Sequence, residues 1–142
     1  QNKVKASQAI TLLLDANNKI YYYEGEPNYE DYTSLKETTY TADGIRKVLL
    51  RKNYDAVKKV EELKVKKANL EITEDEYKEQ VSEIKGAKNT PTVIIKATDK
   101  STYKNLIDAL DEMQICSIGK YVIDNISPDD KKLLTSKGVR LD

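Results

Sequence analysis

Few side chains in this sequence have the type and spacing that chemistry requires. Asp108, Asp111 and Glu112 fall within two turns of one amphipathic stretch, and Asp129 and Asp130 stand side by side further on. Paired carboxylates do acid–base work when their surroundings push their pKa values apart. Helical spacing, however, puts Asp108 with Asp111 or Glu112 opposite the apolar stripe, where charge is ordinary solvation. Asp129 and Asp130 follow a serine and a proline, so the dipole at a helix start accounts for them. The chain has no histidine, which closes Ser-His triads, Cys-His pairs and His-containing zinc sites. Its one cysteine, Cys116, excludes an internal disulfide, and at a helix-to-strand junction it reads as a small buried hydrophobe. No GxGxxG, Walker, CxxC, GxSxG or HExxH pattern occurs. We therefore expect no enzyme, no catalytic, cofactor-binding or metal-binding residue, and no cofactor.

The elements that would position any site are easier to read. At 142 residues the chain is expected to form one domain, 1–142, long enough to bury about two thirds of its unfolded surface. Lys plus Arg and Asp plus Glu both number 24, so the molecule offers no general attraction to phosphate backbones or anionic membranes, and no nucleic-acid partner is expected. No apolar run approaches the roughly 18 residues of a membrane helix, and no signal-peptide pattern is present. The sequence begins at Gln1 rather than Met, as a fragment or processed form would.

AITLLLD, Ala9 to Asp15, alternates Ile10, Leu12 and Leu14 against Leu13, and DANNK then supplies turn residues before IYYYEG. This predicts a β-hairpin, with Asn17 and Asn18 able to take positive φ. Tyr21, Tyr22 and Tyr23 must alternate between strand faces, so at least one ring is expected away from the core, in a half-buried edge strand. Glu26 to Tyr40 lacks a period and reads as a long loop. Thr41 is expected to cap a helix carrying Ile45, Val48 and Leu49 on one face and ending near Asn53.

From 53 to 88 the chain is densely charged, with apolar residues at helical spacing: Tyr54, Val57, Val60 and Leu63, then Tyr77, Val81 and Ile84. Thr73 and Glu76 form a capping-box signature after a break near Leu70 to Ile72. The first limb is rich in Lys and the second in Glu and Asp, so an antiparallel hairpin would set opposite charges side by side. We read it as a hairpin inserted in the domain and resting lightly on the core.

TVIIKAT, Thr92 to Thr98, reads as a central strand buried on both faces. Thr98 or Asp99 is expected to cap the next helix, whose Tyr103, Leu106, Ile107, Leu110 and Met113 form the strongest amphipathic stripe and are assigned to the core. SIGKYVI follows as a strand, which makes a right-handed βαβ crossover with parallel strands. SPDDKKLLTSKG closes the chain as a helix with Ser127 at N-cap, Pro128 at N1 and Gly138 as the stop. The fold class is α+β: a small mixed β-sheet on two core helices, an inserted charged hairpin and a short C-terminal helix.

With catalysis unsupported, function falls to the strand edges, which can accept another chain's backbone hydrogen bonds. Two candidate edges emerge for partner binding: Ile20, Tyr21, Tyr22 and Tyr23, and the strand at Ile118 to Ile123 with Ile118, Gly119, Lys120, Tyr121 and Val122. A free-standing cytoplasmic α+β regulator binding a small ligand at Glu26 to Tyr40 is the alternative.

Two blocks, LLLDANNKIYYYEG and TVIIKATDKSTYKNLIDALDEMQICSIGKYVI, resemble the periplasmic domain of the ExbD/TolR family of biopolymer transport proteins. The resemblance rests on Lys96 and Ala97 at a strand end, the Asp99–Lys100 turn, Tyr103 and Leu106 on the helix, and Ile118–Gly119 entering the last strand. Lys120 stands where close relatives have an apolar residue, and 53–88 departs as an insertion. The resemblance implies an inner-membrane motor subunit. Such a subunit works with an ExbB-like channel subunit and a TonB-like protein to spend proton-motive force on outer-membrane transport. It further implies a homodimer, a periplasmic location, and anchorage through a membrane helix that also carries the proton-linked Asp, outside this sequence.

Overall fold

The structure is a computed structural model that describes residues 8–142; the start of the expected domain at Gln1 lies outside the described residues. Five strands, β1 (Ala9–Leu14), β2 (Ile20–Glu24), β3 (Lys36–Thr38), β4 (Thr92–Ala97) and β5 (Lys120–Asp124), form one sheet in the order β3-β2-β1-β4-β5. Five α-helices, α1 (Ile45–Lys52), α2 (Tyr54–Ala68), α3 (Glu74–Lys85), α4 (Tyr103–Ile115) and α5 (Pro128–Ser136), complete it. The sheet is mixed: β2 and β3 run antiparallel to their neighbours, whereas β1, β4 and β5 are parallel. The α+β class therefore stands.

The β1–β2 hairpin forms as its pattern requires. Asn17 and Asn18 sit at φ of 61° and 59°, the left-handed conformation that short amides tolerate best among side-chain-bearing residues. The expected edge position of β2 is corrected. β3 pairs with Ile20, Tyr21 and Tyr22, so the supposed loop supplies a strand, preceded by a 3-10 turn at Tyr32–Ser34. All three tyrosines are buried, because the sheet has cover on both faces. Tyr22 joins Ile10, Leu12 and Leu14 under α1 and α4, while Tyr21 and Tyr23 join Leu13 under α5 and the chain's end.

β4 is interior but not central: β1 is the middle strand, and Ile94, on the α5 face, is only half-buried. Thr41 does not cap α1. Gly44 holds that position, and a Cβ there would lie 2.4 Å from the Thr39 carbonyl oxygen, so the approach of β3 to the helix start demands glycine.

The helical hairpin forms, with Thr73 and Glu76 exchanging capping bonds. Its inner stripe is Ala56, Val60 and Leu63, with Tyr54 turned outward, since the small alanine lets the helices approach. These residues belong to neither of the sheet's two core clusters. One ion pair, Lys67 to Glu74 at 3.3 Å, bridges the limbs near the tip.

α4 is rotated from expectation. It is capped by Thr102 and Asn105, not by Thr98 or Asp99, and its buried face is Asn105, Ala109, Glu112 and Met113. Tyr103 is 78% exposed and Ile107 37%. Glu112 turns inward, contrary to its reading as solvated charge, because Arg46 of α1 meets it with two bonds of 3.0 and 2.9 Å. A bidentate pair of this kind removes most of the penalty of burying the carboxylate. Cys116 is fully buried as expected, and burial pushes its thiol up to about 12.

Candidate functional site

The open backbone edge is β5. It pairs with β4 through Thr92↔Lys120 to Lys96↔Asp124, and no other described strand lies beyond it. In most proteins an edge is blunted by charge, brevity or a bulge. The opposite edge follows that rule: β3 has three residues, two of them charged, and Glu37 is paired with Lys19. β5 has charge only at its ends, and Tyr121, Val122 and Ile123 between them are 45%, 52% and 58% exposed. Alternation puts Tyr121 and Ile123 on the α4 face, beside Val93 and Ile95, and Val122 on the α5 face, beside Ile94.

Both ends of this strand are pinned. At its start the chain leaves α4 through Ser117 at φ 56°, and the Asn53 side-chain amide donates to the carbonyls of Cys116 and Ser117 at 3.0 Å each. A Cβ on Gly119 would sit 2.6 Å from the Lys85 Cβ and 2.7 Å from the Lys85 carbonyl oxygen. Only glycine fits where the end of α3 crosses the chain. Lys120 Nζ then donates to the Ala87 carbonyl at 2.9 Å. The base of the helical hairpin is thus built against the entry of β5.

At the far end Ser127 caps α5, and Asp130, with no exposed surface, locks that helix to the sheet. Its carboxylate accepts from Lys96 Nζ at 2.6 Å, the Tyr23 hydroxyl at 2.8 Å and the Ser127 backbone N–H at 3.0 Å. Burial works to raise this carboxyl, but the bonds from Lys96, Ser127 and Tyr23 prevail and hold it below its ordinary value. Burial, then the bond to Asp130, pushes the Tyr23 phenol up, so the hydroxyl stays neutral and donating.

Of the residues expected at the edges, Tyr121 and Val122 lie open on β5, and Lys120 is half-buried at its start. Ile118 and Gly119 precede the strand: Ile118 is a core residue and Gly119 a packing contact. Ile20, Tyr21 and Tyr22 are enclosed by β3, and Tyr23 is buried against Tyr29 and Asp130. The sequence reading carried the edge strand to Ile123 but named no binding residue past Val122, and it did not reach Asp124, the last residue of β5. It also missed Asn53 and Asp130, for which only the third dimension supplies a signal. No group of three or more His, Cys, Asp or Glu residues that could hold a metal is found among the described residues, and no described helix is long and apolar enough to cross a membrane.

What fold and site define is an α+β domain whose prominent feature is an unpaired, apolar edge strand. The chain belongs to the ExbD/TolR family of biopolymer transport proteins, whose family model, described as biopolymer transport protein ExbD/TolR, matches residues 1–125. That match ends just past β5, and α5 lies beyond it. No curated protein and no solved structure matches the chain.

Proposed function

We propose that this is the periplasmic domain of an inner-membrane motor subunit that draws on proton-motive force to energise TonB-dependent outer-membrane transport. It works with an ExbB-like channel subunit and a TonB-like protein, and a membrane helix preceding Gln1 anchors it. The domain is not an enzyme; it acts by dimerising and by binding partners through a strand edge. It is one unit over 1–142 with 53–88 inserted, a reading favoured by the separation of Ala56, Val60 and Leu63 from both core clusters. Family membership supports the transport role. The single observation that carries the mechanism is the apolar, unpaired β5 with both ends fixed.

The anchoring is tested by reading the residues encoded upstream of Gln1. A single apolar span of about 20 residues holding one Asp is expected; a start codon close to Gln1 would favour the free-standing regulator instead. Edge binding is tested by Val122→Pro, which puts a residue without a backbone donor in the middle of the edge strand. Weaker association in sedimentation, with the circular dichroism of the folded state retained, is expected.

A further inference from the structure

We infer that the crevice at the carboxyl ends of β1 and β4 is a binding site for a small zwitterion, a molecule that carries an ammonium and a carboxylate close together, as a free amino acid does. No residue of β5 borders it. The topology opens this crevice. β1 and β4 are parallel neighbours, but after β1 the chain turns back into β2 on one side, and after β4 it departs for α4 and β5 on the other. Loops 15–19 and 98–102 therefore diverge, and the space outside such diverging strand ends is where parallel sheets commonly hold ligands. The tail after α5, residues 138–142, closes one side and leaves a cavity of about 500 Å³. That tail lies beyond the residues the family model matches, so the completed cavity belongs to this chain and not to the matched region alone.

Two groups on its wall are left with unused bonding capacity. Asp15 and Tyr21 are each only 5% exposed, and both border the cavity. One Asp15 oxygen accepts from the Thr98 hydroxyl at 2.6 Å, which ties the two loops at their root. Among the described residues the other Asp15 oxygen takes no hydrogen bond or ion pair, and the Tyr21 hydroxyl takes no hydrogen bond. The described side-chain oxygen that is sealed from solvent without a partner is that of Tyr40, so these two are not sealed and open into the cavity. Burial, then the Glu37 carboxylate, pushes the Tyr21 phenol up, and its hydroxyl stays protonated and able to donate. Largely desolvated polar groups with unmade bonds are costly, and a ligand that completes them recovers that cost.

Positive charge borders the same space. Lys19 is committed to Glu37 at 2.8 Å, but Lys100 is exposed and joins no ion pair among the described residues, and Arg140 meets Asp142 only at 3.8 Å. Asp15 takes the ammonium, and Lys100 with Arg140 takes the carboxylate. A simple anion leaves Asp15 repelling it, and a simple cation meets Lys100 and Arg140. Only a ligand with both charges satisfies both walls.

The test is a titration of the isotope-labelled 142-residue chain, read by nitrogen–proton NMR. Each standard amino acid is added to about 10 mM, ten times a weak Kd of about 1 mM. At least one should shift the amides of Lys19, Tyr21 and Lys100 saturably while those of β5 stay in place. Its des-amino analogue and its carboxamide each lack one of the two charges. Each should bind about tenfold more weakly, the worth of one hydrogen bond to a charged group. Asp15→Asn keeps the side chain's shape toward Thr98 and should erase the preference over the des-amino analogue. Lys100→Ala together with Arg140→Ala should erase the preference over the carboxamide. Tyr21→Phe deletes an unbonded hydroxyl, so affinity should fall about tenfold with the thermal melt unchanged. Absence of a saturable shift with every amino acid overturns the proposal. So do analogues that bind as tightly as the parent, or a bound amino acid indifferent to both Asp15→Asn and the Lys100–Arg140 double variant.

Discussion

Asp130 and Asp129 are neighbours in the first turn of α5, yet replacing each with alanine should have very different consequences. Asp129 is exposed, so Asp129→Ala forfeits a helix-dipole interaction of about 0.3–1 kcal/mol. Asp130 is fully buried and takes bonds from Lys96, Tyr23 and Ser127. Its loss leaves the Lys96 ammonium, whose side chain is 12% exposed, without a counter-charge, and strips a partner from a buried phenol. Breaking a buried pair in this way costs about 3–5 kcal/mol, a large share of the roughly 5–15 kcal/mol that holds a domain together. Urea unfolding followed by far-UV circular dichroism reads the difference directly. The pH dependence has a defined sign. Because the folded carboxyl titrates below its unfolded value of 3.8, its contribution is complete above that value and disappears as pH falls through the lower folded one. The stability gap between wild type and Asp130→Asn should therefore be flat near neutrality and close as the solution is acidified below about pH 4. An Asp130→Ala cost below about 1 kcal/mol, or a gap that widens with acid, would refute the network as the lock on α5.

Three further outcomes follow from single positions. Gly119→Ala forces a Cβ against the Lys85 backbone, and calorimetry should register a loss of about 1–3 kcal/mol, the usual cost of overpacking. Tyr40→Phe should leave stability unchanged or raise it by up to about 1 kcal/mol, since the Tyr40 hydroxyl is buried without a hydrogen-bond partner and its desolvation is uncompensated. Leu70→Gly should stabilise by about 1 kcal/mol in thermal melts, because Leu70 holds φ 62° while 90% exposed, so glycine relieves left-handed strain without losing packing.

The sequence was most legible where local rules and tertiary need agree. The Asn17–Asn18 turn, the Thr73–Glu76 box, the Ser127–Pro128 helix start and the parallel β4–α4–β5 unit all carry their own signals within a few residues. Failures share one cause: a partner distant in sequence. Lys36–Thr38 has no strand-like period of its own and becomes β3 only because β2 offers a ladder. Glu112 and Asp130 look solvated until Arg46 and Lys96 arrive. The α4 stripe misled for a related reason. Its apolar residues recur at helical spacing and so read as core, and Leu106, Leu110 and Met113 do pack there, whereas Tyr103 and Ile107 face outward.

That misplacement and the state of the two sheet edges bear on one another. A domain whose sheet edges served no contact would be expected to blunt β5 as it blunts β3. Instead Tyr103 and Ile107 of α4 are exposed together with Tyr121, Val122 and Ile123 of β5, while the chain is anchored on either side of that strand: by Asn53 and Lys85 at its entry and through Asp130 of α5 after its exit. Under the proposed role this arrangement has a mechanical sense. A partner paired along β5 and pulled along the strand loads its hydrogen bonds in parallel, and the load passes into β4 through five matched residue pairs. Because β4 and β1 are joined along six more, the whole parallel half of the sheet shares the strain. Pinning the ends prevents β5 from peeling away one bond at a time, which is the weak mode of any edge strand. Loosening either pin, by Gly119→Ala or Asp130→Ala, should then weaken partner pairing more than the exposure of the edge residues alone would suggest.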